Sequence, residues 1–135
     1  MSNKLKNNSD KIERVCLDDN MSVSFKYITK NDQYNLNYFN KSKDIRNKSE
    51  FLTNLFDIIQ ELTSNTFIYF MGKDRRKIGF EKINDIKFSP NIRISADEQI
   101  YSKRIKNKYR MLFIFRNNII YIIGFDFNFT AYKHS

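Results

Sequence analysis

Two arginines six residues apart, Arg104 and Arg110, are the pair in this chain best placed to do chemistry. They lie in residues 99–134, where β-branched and aromatic residues dominate and turn formers interrupt at Lys106-Asn107-Lys108 and at Asn117-Asn118. That pattern predicts three strands joined by two tight hairpins. Asn tolerates φ > 0 better than most residues and so suits the second, two-residue loop. With a three-residue first loop, Arg104 lies directly across from Arg110. With Asn117-Asn118 as the second loop, Arg110 faces Phe125 and Leu112 faces Ile123. Side chains alternate along a strand, so Arg104, Arg110, Leu112, Ile114 and Ile123 share one face. Tyr109, Met111, Phe113, Phe115, Ile120 and Ile122 share the other, which is almost wholly apolar and should meet a helix. Side-by-side guanidinium groups repel. A bound anion such as a phosphate would give them a reason to be there; solvation, or pairing with Asp and Glu, would serve as well.

The run Tyr101-Ser102-Lys103-Arg104-Ile105, then Tyr109-Arg110-Met111-Leu112-Phe113, then a hairpin and a closing Tyr132/His134 pair, resembles the C-terminal half of RelE/ParE-superfamily toxins. It is nearest to the YoeB/Txe branch, whose pattern is aromatic-Ser-Arg-Arg-Ile, three residues, His-Arg-Leu-Val-Tyr and a final His-Tyr. The resemblance is confined to residues 99–134. Tyr109 stands where the family has His, Lys103 stands for the first of the paired arginines, and the order Tyr132-Lys133-His134 follows a longer segment from Asp126 to Ala131. The resemblance implies a metal-free endoribonuclease without cofactors, acting on mRNA at the ribosome, with an antitoxin as partner. Such cleavage needs a base for the 2′-OH, a cation for the charge building on the phosphate, and an acid for the leaving 5′-oxygen. Arg104 and Arg110 match the two family arginines. His134 or Tyr132 would be the acid. Glu81, in Glu81-Lys82-Ile83, is the nearest analogue of the family glutamate, with Glu98 as a fallback.

Of the 135 residues, 24 are Lys or Arg and 15 are Asp or Glu, a formal net charge of +9. Residues 1–20 carry equal numbers of each sign, so the excess lies beyond them. It is densest between Lys73 and Arg110, with twelve basic residues against five acidic ones. A basic stripe beside a sheet is the electrostatic footprint of RNA or another acidic partner, and it can equally be a solvated surface. Lys73, Arg75, Arg76, Lys77, Lys103, Lys106 and Lys108 are its candidate RNA contacts.

Length favours one domain: a polar, flexible N-terminal arm over 1–20 and a single α+β domain over 21–135. Alternation predicts strands over 21–30 and, as an addition to the toxin fold, over 34–39. Apolar residues from Phe51 to Leu62 recur at helical spacing, capped by Ser49, and predict a helix over 49–63 that covers the Met111/Phe113/Phe115 face. Residues 66–71 and 92–94 read as further strands. The expected architecture is an antiparallel sheet of four to six strands with that helix on one face, RelE/ParE-like.

One cysteine, Cys16, excludes an intrachain disulfide and a Cys-based metal site, and one histidine excludes a His cluster. No apolar run reaches membrane-spanning length, and the start of the chain lacks an apolar signal core, so a cytoplasmic location is expected. The alternative function class is a non-catalytic basic binder of phage or mobile-element origin. It would grip nucleic acid or an acidic host protein, as a ParE-like gyrase inhibitor does.

Overall fold

Two consecutive hairpins form the centre of the molecule, and the rest of the chain covers them. The structure, a computed structural model, describes residues 19–41, 45–74 and 78–133, without the side chains of 41, 45 and 46. Its elements are β1 (Ser22–Ser24), α1 (Tyr38–Lys41), α2 (Ile45–Thr63), α3 (Phe67–Met71), β2 (Phe80–Ile83), β3 (Ile100–Lys106), β4 (Tyr109–Arg116) and β5 (Ile119–Asp126). The strand order is β1-β5-β4-β3-β2. The fold is α+β, but the sheet is mixed rather than antiparallel, because β1 runs parallel to β5 along Ser22↔Ile119, Val23↔Ile120 and Ser24↔Tyr121. Parallel neighbours need a long crossover, which the helices and the hairpin strands between them supply.

Both hairpins form where the turn residues indicate. Asn117 and Asn118 have φ of 51° and 64°, the paired left-handed values of a tight two-residue turn. The first loop is shorter than expected. Lys106 pairs with Tyr109, Asn107 takes φ 52°, and the ladder shifts between Arg104 and Lys106. Arg104 nevertheless stays opposite Arg110.

A second irregularity changes the β4–β5 register. Between Leu112 and Phe113 the pairing slips by one, so Leu112 faces Gly124 instead of Ile123, and Arg110 faces Asp126 instead of Phe125. A bulge of this kind puts two neighbouring residues on one face. Here Ile123 packs on the face opposite the helix, and a Cβ on Gly124 would come 2.6 Å from Phe88 Cζ on that same face. Gly124 therefore permits close packing of the covering loop.

The helix differs in extent and orientation from its expected form. It begins at Ile45, so Ser49 lies inside it rather than capping it. Phe51, Leu55 and Leu62 are buried and Leu52, Ile58 and Ile59 half-buried, while Phe56 falls off the edge of the stripe and is 67% exposed. These residues meet Met111, Phe113, Ile120 and Ile122, part of the apolar face anticipated from alternation, and also Phe125, which was expected opposite Arg110 on the other face and is moved to this one by the register slip.

Three expected strands take other forms. Residues 67–71 form α3, because Thr66 Oγ1 accepts from the Tyr69 N–H at 3.1 Å and caps a turn that buries Phe67 and Phe70 one above the other. Packing there overrides strand propensity. Residues 34–37 are bends and turns leading into α1, which takes up Tyr38 and Phe39. Asn35 ties them down, donating to Thr29 O at 3.0 Å and accepting from the Asn37 N–H at 2.9 Å. A helix, not an added strand, thus follows β1. Residues 92–94 lie in a loop, and of 21–30 only β1 is a strand.

The second face of the sheet is covered, not open. Tyr34 and Phe88 stack at 5.0 Å and join Ile83, Ile100, Leu112, Ile114, Ile123, Ala131 and Tyr132 in a second core. Of the expected arm over 1–20, residues 1–18 lie outside the described residues. Asn20 bridges to Thr66 and its carbonyl accepts from Asn118 Nδ2 at 2.9 Å.

Candidate functional site

The strand register builds the site on the second face, at its hairpin end. Glu81 pairs with Ser102 across β2–β3, and Ser102 with Leu112 across β3–β4. One step along the sheet, Arg104 pairs with Arg110 and Arg110 with Asp126. Alternation puts Glu81, Ser102, Arg104, Arg110 and Asp126 on the same side. The chain then returns over them and lays Tyr132 on Ser102.

Tyr132 is held from two directions. Its hydroxyl donates toward Glu81 Oε2 at 3.5 Å and lies 2.9 Å from Ser102 Oγ, which leaves the serine as donor to the phenolic oxygen. Burial pushes the Tyr132 phenol above its ordinary value. The Ser102 bond and the Arg110 charge pull against that, and the Glu81 charge adds to it. The ring therefore keeps its proton at neutral pH.

The two arginines share an acceptor. Arg104 Nε donates to Asn107 O at 3.2 Å, and Arg110 Nη1 donates to the same oxygen at 2.7 Å and to Tyr109 O at 3.1 Å. Burial is the main influence lowering the Arg110 value and the nearby Arg104 charge adds to it, while Tyr132, Glu81 and Asp126 oppose both. The guanidinium remains charged at any ordinary pH. Beside this cluster is a cleft of about 540 Å³, lined by Glu81, Lys82, Asn84, Lys87, Tyr132 and Lys133 among others.

Four of the five expected catalytic residues, Arg104, Arg110, Glu81 and Tyr132, thus come together. The fifth, His134, lies outside the described residues, as do Arg75, Arg76 and Lys77. Lys73, Lys106 and Lys108 are exposed. Lys103 is not a surface contact. Its side chain is fully buried on the helix side, 3.2 Å from Glu61 Oε1, donating to Ile78 O at 2.6 Å and lying over the Phe70 ring. The fallback Glu98 is engaged elsewhere, in an ion pair with Arg116.

The chain matches no family model, no curated protein and no solved structure.

Three neighbours of the site were not singled out from the sequence. Ser102 stands within the quoted motif but had no role there. Asp126 reaches Arg110 only through the register slip at Leu112. Phe129 lies over the Arg110 guanidinium, 4.9 Å from its ring centroid. Among the described residues no group of His, Cys, Asp and Glu is arranged to hold a metal, and no helix is long and apolar enough to cross a membrane.

Proposed function

We propose that this chain is an RNA-cleaving toxin of the RelE/YoeB kind, acting on mRNA at the ribosome and neutralised by an antitoxin. The observation that carries the reading is the shared face of Glu81, Arg104, Arg110 and Tyr132, set by strand register and by the return of the chain over Ser102. Arg104 and Arg110 hold the scissile phosphate and stabilise the charge that builds on it.

The Glu81–Tyr132 contact supports one division of the proton-transfer roles. In-line displacement needs its base and acid on opposite sides of the phosphorus. Glu81 and Tyr132 touch at 3.5 Å, so they serve one side together. Glu81 takes the 2′-OH proton, and the protonated Tyr132 orients the carboxylate. The acid role falls to His134, the other candidate acid of the sequence, which lies outside the described residues.

Expression in bacteria, with growth and primer-extension mapping of mRNA, tests this. Wild type should arrest growth and cut mRNA. Arg104→Ala and Arg110→Ala should each lose on the order of a hundredfold or more in cleavage. Arg110→Lys should also be poor, since a point charge does not reproduce the guanidinium fork. Glu81→Gln and His134→Ala should each lose about a hundredfold or more. Intact mRNA under wild-type expression, or equal cutting by all variants, overturns the reading. The basic binder then takes its place.

A further inference from the structure

Phe129 is an unusual residue for its position. It is 43% exposed and its φ is 60°, in the left-handed region that Gly and Asn enter easily and a bulky ring does not. A strained backbone that also displays an aromatic ring persists only where the surroundings fix it. Here they do. Asp126 is fully buried, and its Oδ1 accepts from the Asn128 N–H at 3.3 Å and the Thr130 N–H at 2.9 Å. Asn128 Nδ2 donates to Tyr38 Oη at 3.1 Å. Phe127, two residues before, is buried and stacks on Tyr38 at 4.5 Å. The loop is thus clamped on both sides of the exposed ring, which lies over the Arg110 guanidinium.

We propose that Phe129 is a stacking platform for an unpaired nucleobase, beside the phosphate that Arg110 holds. The inference rests on the RNA reading above. An aromatic ring next to an arginine is the usual combination for gripping single-stranded nucleic acid: the ring takes a base face and the guanidinium takes the backbone. Asp126 holds the two together, because it pairs with Arg110 in the sheet and closes the loop that carries Phe129. The segment from Asp126 to Ala131 thereby adds a base contact to the arginine pair.

The test is binding of a short single-stranded 2′-O-methyl oligonucleotide, which cannot be cleaved, carrying 2-aminopurine, against linear polyphosphate of matched charge. Phe129→Leu should weaken the oligonucleotide on the order of tenfold, abolish quenching of 2-aminopurine, and leave polyphosphate binding unchanged. Phe129→Tyr should behave as wild type. Phe129→Asn should lose affinity while melting no lower than wild type, since Asn suits the backbone. Unchanged oligonucleotide binding by a folded Phe129→Leu overturns the platform and leaves the RNA reading standing. An equal loss on polyphosphate also overturns it, assigning the ring to ordering Arg110. If wild type binds neither ligand, the RNA reading falls and the platform with it.

Discussion

Arg104 and Arg110 face each other across β3–β4 and donate to one carbonyl, that of Asn107, at 3.2 and 2.7 Å. The carbonyl orients both groups but cancels neither charge. Like charges directly opposite on a sheet are destabilising by some tenths of a kcal/mol to about 1 kcal/mol. Urea unfolding of Arg104→Gln should therefore show unchanged stability, or a gain of up to about 1 kcal/mol, alongside weaker RNA binding. A loss above about 1 kcal/mol would mean that the pair is structural.

The lysines should separate by burial. Lys106→Ala and Lys108→Ala, at exposed positions, should each lower the slope of log affinity against log salt by about 1 if they meet phosphates. Lys103→Met should leave that slope unchanged, because the Lys103 ammonium faces Glu61 and Ile78 under the helices. Salt titrations of the three variants on one RNA decide it.

On α2 the contrast lies between two phenylalanines. Phe51 is fully buried and packs edge-on against Phe125 at 5.4 Å. Phe51→Ala should cost about 3–5 kcal/mol. Phe56→Ala, on the open side of the same helix, should cost under about 1 kcal/mol. Chemical denaturation of both variants checks the orientation of the helix.

Glu98 should govern part of the acid response. The Arg116 hydrogen bond, aided by Ser95, holds its carboxyl down at about 2 against an ordinary value of 4.5. A depressed folded-state value contributes stability above the unfolded value, and that stability is lost as pH falls. Wild type should therefore lose stability between pH 4.5 and 2 more steeply than Glu98→Gln. Parallel acid curves for the two proteins would count against the pair.

The sequence made the hairpins legible because alternation and the Asn117-Asn118 turn are local signals. The face assignments of Met111, Phe113, Leu112 and Ile114 follow from them, and so does the arginine pairing. The slip at Leu112 has only a weak local signal, a glycine inside a strand. What Gly124 makes room for is Phe88, far away in the chain, and its approach has no cue in the spacing. Asp126 at the site was hidden for the same reason. Residues 66–71 misled because Thr, Phe, Ile and Tyr favour strands, while the burial of Phe67 and Phe70 favours one turn of helix. Glu81 and Tyr132 were identified through resemblance; the contact between them depends on a chain reversal that spacing alone does not reveal.

The parallel pairing of β1 with β5 has a consequence for how the protein is made. Ser22 waits for Ile119, almost the whole described chain away, and α2 waits for the β4 and β5 side chains that it covers. Contacts so distant in sequence raise the contact order above that of the hairpins alone and slow folding. A nascent chain therefore exposes Phe51, Leu55 and Leu62 until β5 leaves the ribosome, and during that interval it is open to chaperones and proteases. The arginine site forms with the same late strands, so the proposed activity appears only after β5 and the segment that carries Tyr132 have been translated.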